Sequence, residues 1–240
     1  TNYLMGIKDN KMKNILARGG VEFLAVLLGI TISLYIDQQI EESAIQKTEK
    51  SLLTDLQVSL NQDIDYAQDV LKDMRKSMVA QEFLINFECD EVEKLSAKEL
   101  GNIFEDVLSG STSLFPRYGV YRSLVSNSEM KYIENQELKN KLIDLYDFRF
   151  KRYENVDPII TNLYQYGLGE YLVENFGYHR GKDLKFSEKH LLINKDAFCE
   201  KSLQKEIMKI STMTGVVHWM LEEIVKSMNT VNILIDEELN

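Results

Sequence analysis

Apolar residues follow three different patterns along this chain, and each predicts a different kind of helix. Near the start, Phe23 to Ile36 is an unbroken run of 14 residues without a charge. From Ile36 onward apolar positions recur at Ile36, Ile40, Ala44, Leu52, Leu56, Leu60, Ile64, Ala67, Leu71, Met74 and Met78, with Thr48 in the gap. That spacing is helical, and no Pro or Gly stands between Gly29 and Gly101 to break it. At the other end Leu203, Ile207, Ile210, Thr214, Val217, Leu221, Ile224, Met228, Val231 and Ile235 alternate steps of four and three, which is a heptad stripe.

Between these stripes the helix starts are legible. Ser96 with Glu99 forms a capping box before "AKELGNIFEDVL", and Ser126 with Glu129 is expected to do the same for a shorter piece. Asn135 is expected to cap "QELKNKLIDLYDFRFKRYENV", and Asp157 with Pro158 to start a new helix, "PIITNLYQYGLGEYLVENF". Gly110, "FPRYG" and "GYHRGKD" are the loop signals, and no strand pattern of useful length is present. The chain is expected to be all-α, with an N-terminal transmembrane helix continuing into a long helix that packs in a bundle with the C-terminal heptad helix. An antiparallel intramolecular pairing is the favoured use of the heptad; an intermolecular coiled coil is the alternative.

Charge turns the first pattern into a statement about location. Lys8, Lys11, Lys13 and Arg18 oppose only Asp9 before Gly19, so that segment carries +3 within a chain of net charge −10. At 1.5 Å per residue, Phe23–Ile36 spans only about 21 Å; extending it back to Ile15 gives about 33 Å, enough for a bilayer core of about 30 Å. The extension takes in Arg18 and Glu22, which are i and i+4 and so within pairing reach. A cleaved signal peptide, a buried core helix and a surface amphipathic helix compete with this reading, though "SLYIDQQ" offers no small-x-small cleavage site. The expected organisation is a basic cytoplasmic tail (1–14), a transmembrane helix (15–36), a helical stalk (37–51) and an extracytoplasmic bundle (52–240). By the positive-inside rule the N-terminus is expected in the cytoplasm and the main domain on the far side of the membrane.

Ala25, Gly29 and Ser33 recur every four residues, and Glu22 lies about 20° from the Gly29 and Ser33 directions on a helical wheel. Small residues on one face let membrane helices approach closely, and acids at membrane depth usually face protein. Arg18, Glu22, Ala25, Gly29 and Ser33 are therefore the expected helix-packing face, for a membrane protein complex or for self-association within the lipid bilayer. The competing view is that Arg18 neutralises Glu22 at headgroup level and the small residues are incidental.

Catalytic chemistry finds little support. His179, His190 and His218 lack metal-ligand spacing, paired acids such as Asp63 and Asp65 point apart, and no phosphate-binding glycine loop or nucleophile elbow occurs. The expectation is a protein that is not an enzyme and has no cofactor or metal. The excess of acid, 38 against 28 basic residues, argues against nucleic acid as a partner. Cys89 and Cys199 are the only cysteines; outside the cytoplasm such a pair can form a disulfide, and two separate thiols buried as small hydrophobes are the alternative. The loop from Ser111 to Leu124 gathers Phe115, Tyr118 and Tyr121 with Arg117 and Arg122, a composition that suits a recognition surface and equally a core-capping loop.

The segments "VEFLAVLLGITISLYID", "EKSLLTDLQVSLNQDIDYAQDVL" and "YGVYRSLVSNSEMKYIENQELKNKLIDLYDF" together resemble a bacterial family of single-span membrane proteins known only as a domain of unknown function. The resemblance implies an N-terminal anchor and a helical extracytoplasmic domain; it supplies no catalytic residues. Three roles are expected from these readings. The first is a membrane-anchored structural or accessory subunit of a larger envelope complex. The second is a ligand-sensing bundle that signals through a partner, since the short tail has no room for an output domain. The third is a single-span subunit of an ion-driven complex using Glu22.

Overall fold

The computed structural model describes the backbone of residues 3–180, 184–186 and 188–240, with side chains from residue 20 on except at 179–180, 184–185 and 188. The basic tail side chains, Arg18 and the His179 ring lie outside the described residues. The chain divides into two units, Thr1–Ser51 and Leu52–Asn240. The first element, α1 (Tyr3–Asn86), supplies all the described residues of the first unit and opens the second. In the first unit residues 20–44 are exposed throughout, with Val21 at 67 % and Leu34 at 64 %.

The second unit is built on three long helical stretches. They are residues 52–86 of α1, residues 136–176, and α9 (Lys201–Leu239). Side-chain bonds fix their directions. Gln57 donates to Asp236, Asn232 to Asn61 at 3.2 Å, and Gln81 to Thr214 at 3.2 Å, so α1 and α9 run antiparallel. Asn135 reaches Glu238 at 2.7 Å while Tyr164 meets Thr214 at 3.4 Å, so residues 136–176 also oppose α9. Every member of the α9 heptad from Leu203 to Ile235 is buried, at 2 % exposure or less. The heptad is thus the seam of an intramolecular bundle, and each fully buried Leu or Ile on it contributes about 1.5–3 kcal/mol of burial.

Shorter elements cover the long ones: α2 (Cys89–Glu93), α3 (Ala97–Ser109), α4 (Gly119–Ser126), a 3₁₀ turn at Glu129–Tyr132, α8 (Glu188–Ile193) and a second 3₁₀ turn at Lys195–Cys199. The capping box before α3 forms in full, with the Ser96 N–H donating to Glu99 at 2.8 Å and the Glu99 N–H to the Ser96 hydroxyl at 3.3 Å. Strand content among the described residues is one antiparallel pair, His179–Arg180 with Leu184–Lys185. Cys89 and Cys199 form a disulfide with Cα atoms 5.8 Å apart, joining α2 to the turn before α9. Lys195 strengthens the same junction by donating to the carbonyls of Glu93 and Leu95.

Three sequence expectations are corrected here. Ser126 caps no helix: it ends α4, its hydroxyl donates back to the Ser123 carbonyl, and the next turn starts at Ser128 in the left-handed region, φ 58°. Asp157–Pro158 starts no helix either. Residues 136–176 run on as α5 (Gln136–Ile143), a π-helical turn (Asp144–Arg149), α6 (Phe150–Asn162), a second π turn (Leu163–Leu168) and α7 (Gly169–Phe176). Pro158 costs α6 one backbone bond, but Tyr153 on one side and Ile160 and Tyr164 on the other are all buried in one core, which holds the helix through it. Asp157 instead accepts from the Tyr153 hydroxyl at 2.8 Å. Finally, Met78 is exposed at 37 %, and Ser77 and Gln81 take the inner positions. A stripe read at nearly four residues per step drifts off a face that turns every 3.6.

Candidate functional site

Four places in the chain have the composition or geometry of a functional site. The first is the apolar length of α1. Its most apolar 18-residue window has mean hydropathy 1.7, and none of that window is buried. Glu22, Ala25, Gly29 and Ser33 are all exposed on this helix, and a Cβ built on Gly20 or Gly29 meets nothing within 4 Å. The stripe is thus solvent-exposed in the first unit, with Arg18 outside the described side chains.

The second place, the loop from Ser111 to Leu124, turns mostly inward. Tyr121 is buried, stacks on Tyr146 at 4.3 Å between ring centroids and donates to Asp147 at 2.7 Å. Arg117 bonds the fully buried Asp63 twice, through its backbone N–H at 2.9 Å and its guanidinium at 2.6 Å. Tyr118 packs edge-on to Phe150, and Arg122 lies over its ring at 4.8 Å. Of the five residues expected to form a recognition surface, only Phe115, at 72 % exposure, is a bare apolar side chain. The loop acts mainly as a lid on the α1 and 136–176 interface, because an acid at position 63 inside the bundle requires a cation over it.

Sequence reasoning missed the third place, a buried polar cluster where all three long helices meet. Ser77, Gln81, Tyr164 and Thr214 are each 3 % exposed or less. Ser77 donates to the Val107 carbonyl at 2.5 Å and Thr214 to the Ile210 carbonyl at 2.9 Å, so both hydroxyls are free to accept. The Gln81 amide nitrogen lies 2.7 Å from Ser77, 3.0 Å from Tyr164 and 3.2 Å from Thr214. Its carbonyl oxygen has no partner. Burial holds the Tyr164 hydroxyl above its ordinary pKa, against the opposing pull of its three hydrogen-bonding neighbours. Thr214 within the α9 heptad was the only signal that this layer is polar.

The fourth place adjoins the third. A half-enclosed cleft of about 510 Å³ opens beside Tyr164, between the end of α3 and the 161–178 stretch. Leu108, Val173 and the Tyr164 and Tyr178 side chains supply apolar wall; Glu170 and Glu174 supply charge. Gly169 keeps the second π turn tight: a Cβ there would sit 2.9 Å from the Tyr164 carbonyl oxygen. Its size and its apolar walls with few polar groups are those of small-molecule sites.

Titratable chemistry elsewhere is sparse. The His218 Nε2 accepts from the Arg75 guanidinium at 3.3 Å; burial, helped by Arg75 and opposed by Glu222, holds its pKa below the usual range. Among the described residues no cluster of three or more His, Cys, Asp or Glu is arranged to hold a metal.

Fold and sites together define an all-α helical bundle protein with one helix long and apolar enough to cross a membrane. Compared with known protein families, curated proteins and solved structures, the chain matches none.

Proposed function

We propose that this chain is a single-span membrane subunit of a bacterial envelope complex. The apolar run of α1 crosses the cytoplasmic membrane with its basic end inside, and the second unit works in the periplasm as a non-enzymatic accessory or scaffold domain. One observation carries the reading: the most apolar 18-residue window among the described residues has none of its residues buried. A soluble protein rarely leaves so large a continuous apolar surface in water, whereas a bilayer covers it. The Cys89–Cys199 disulfide is in keeping with an oxidising compartment for the second unit. The exposed stripe of Glu22, Ala25, Gly29 and Ser33 supplies the surface on which a partner helix would pack.

Native-membrane purification in mild detergent tests this. The protein is expected to resist alkaline carbonate extraction and to co-purify with a multi-span partner in fixed ratio; recovery as a carbonate-soluble free monomer would refute it.

The cleft beside Tyr164 favours a second reading, a bundle that binds a small molecule and passes the signal to a partner. Saturable binding of a ligand that changes the composition of the purified complex would support it; a complex unchanged by any bound ligand would count against it.

A further inference from the structure

We infer that the cleft beside Tyr164 is a binding site for a small amphipathic organic cation, an arylalkyl- or alkylammonium. The inference rests on the second reading above and names its ligand class. Three features of the cleft converge on it. Its volume of about 510 Å³ accommodates an aromatic or short aliphatic body, and Leu108, Val173, Tyr164 and Tyr178 provide apolar surface for one. Glu170 and Glu174, one helical turn apart on α7 and hence on one face, are the only charged side chains among the described residues that line it. Neither carboxylate is paired with a cation among the described residues, although acids elsewhere, the exposed Asp147 and the partly buried Asp106 and Glu206, have a lysine at 2.6–2.9 Å.

The chemistry of the walls selects among ligands. An ammonium group gains from both carboxylates and from the electron-rich faces of tyrosine rings, each strengthened where water is partly excluded. An anionic ligand is repelled by the same pair, and among the described residues no cluster of three ligands awaits a bare metal ion. A neutral apolar body fills the volume but leaves the charge unused. The cleft wall is firm, because the Tyr164 hydroxyl is fixed among Ser77, Gln81 and Thr214. Occupancy would therefore press directly on the layer where the three long helices meet.

Calorimetric titration of the full chain in an uncharged detergent, with 2-phenylethylammonium, 2-phenylethanol and 3-phenylpropanoate as matched probes, tests the inference. The ammonium probe is expected to bind saturably at one site, at least tenfold more tightly than the alcohol, with no binding of the carboxylate. The double variant Glu170→Gln, Glu174→Gln is expected to remove that tenfold preference while leaving the circular dichroism spectrum and thermal midpoint in place. Val173→Trp, which fills the cleft from an exposed position, is expected to abolish binding of both amine and alcohol. Equal affinities for amine and alcohol, or a preference that survives in the double variant, would overturn the cation class while leaving a ligand cleft standing. Absence of saturable binding by the amine would overturn the site itself.

Discussion

Gly110 ends α3 with ordinary helical torsions, φ −70° and ψ −4°, so its lack of a side chain answers a need for space and not for a left-handed backbone. A Cβ there would collide with the Tyr164 hydroxyl and with Ser77, whose Oγ and Cβ would lie 2.5 and 2.8 Å away. Those atoms are held by the polar cluster and cannot simply turn aside. Gly110→Ala is therefore expected to cost about 1–3 kcal/mol, seen as a lower urea midpoint at unchanged slope. The buried pair is the more severe test. Removing the Arg117 side chain leaves the Asp63 carboxyl group at 0 % exposure with only the Arg117 backbone N–H bonded to it among the described residues. Arg117→Ala is expected to lose about 1–3 kcal/mol, below the roughly 3–5 kcal/mol of a wholly buried pair because Arg117 itself is half exposed.

Tyrosines set the alkaline behaviour. Six of the chain's 12, Tyr118, Tyr121, Tyr146, Tyr153, Tyr164 and Tyr171, have pKa values raised chiefly by burial, Tyr171 to about 12. A group whose folded pKa is raised adds stability that is complete below its unfolded value near 10 and is lost as pH rises through the folded value. Absorbance titration at 295 nm should thus show these six ionising late, together with the loss of helical dichroism. Ionisation of all twelve near pH 10 with the fold intact would contradict the burial described here.

At the scale of elements, the bundle is held by apolar seams and one polar layer. Gln81 of α1 and Thr214 of α9 report on each other across the antiparallel interface. A double-mutant cycle with Gln81→Ala and Thr214→Val should give a coupling of about 0.5–3 kcal/mol, and strict additivity would show the layer contributes nothing between helices. The disulfide ties the same architecture at one end, closing a separation of 110 residues. Chain-entropy arguments for a loop of that length give several kcal/mol, so Cys89→Ser is expected to destabilise by about 2–4 kcal/mol without changing helix content. Elements also show where local sequence signals mislead. Asp157–Pro158 has every mark of a helix start, yet burial of Tyr153, Ile160 and Tyr164 on one core outweighs one lost backbone bond. Ser126 stands three residues before an acid, but only the chain reversal at Ser128 decides which serine begins the next turn.

At the scale of the whole molecule, the two units obey different rules of burial. Residues 52–240 hide their apolar seams inside; residues 20–44 hide nothing. Placing a charge in the middle of the apolar run should therefore change location and not folding. Leu27→Arg costs a membrane helix about 2.5–3.5 kcal/mol of insertion free energy, and is expected to move the protein toward the soluble fraction while the second unit keeps its thermal midpoint. An unchanged membrane fraction would argue against the anchor.

Helical class, the heptad seam from Leu203 to Ile235 and the α3 capping box were legible in the order of residues alone, because each depends on spacing within one element. The helical character of the apolar run near the N-terminus belongs with them; that the run is unburied does not, since a core helix fits the same residues. What only tertiary structure decided involves residues far apart in the chain: Asp63 under Arg117, Gln81 among Tyr164 and Thr214, Tyr121 stacked on Tyr146, and the cleft beside Glu170. Periodicity states which face a helix buries. It carries no information on which neighbour meets that face, and a polar group inside a bundle is tolerated or costly according to that neighbour alone.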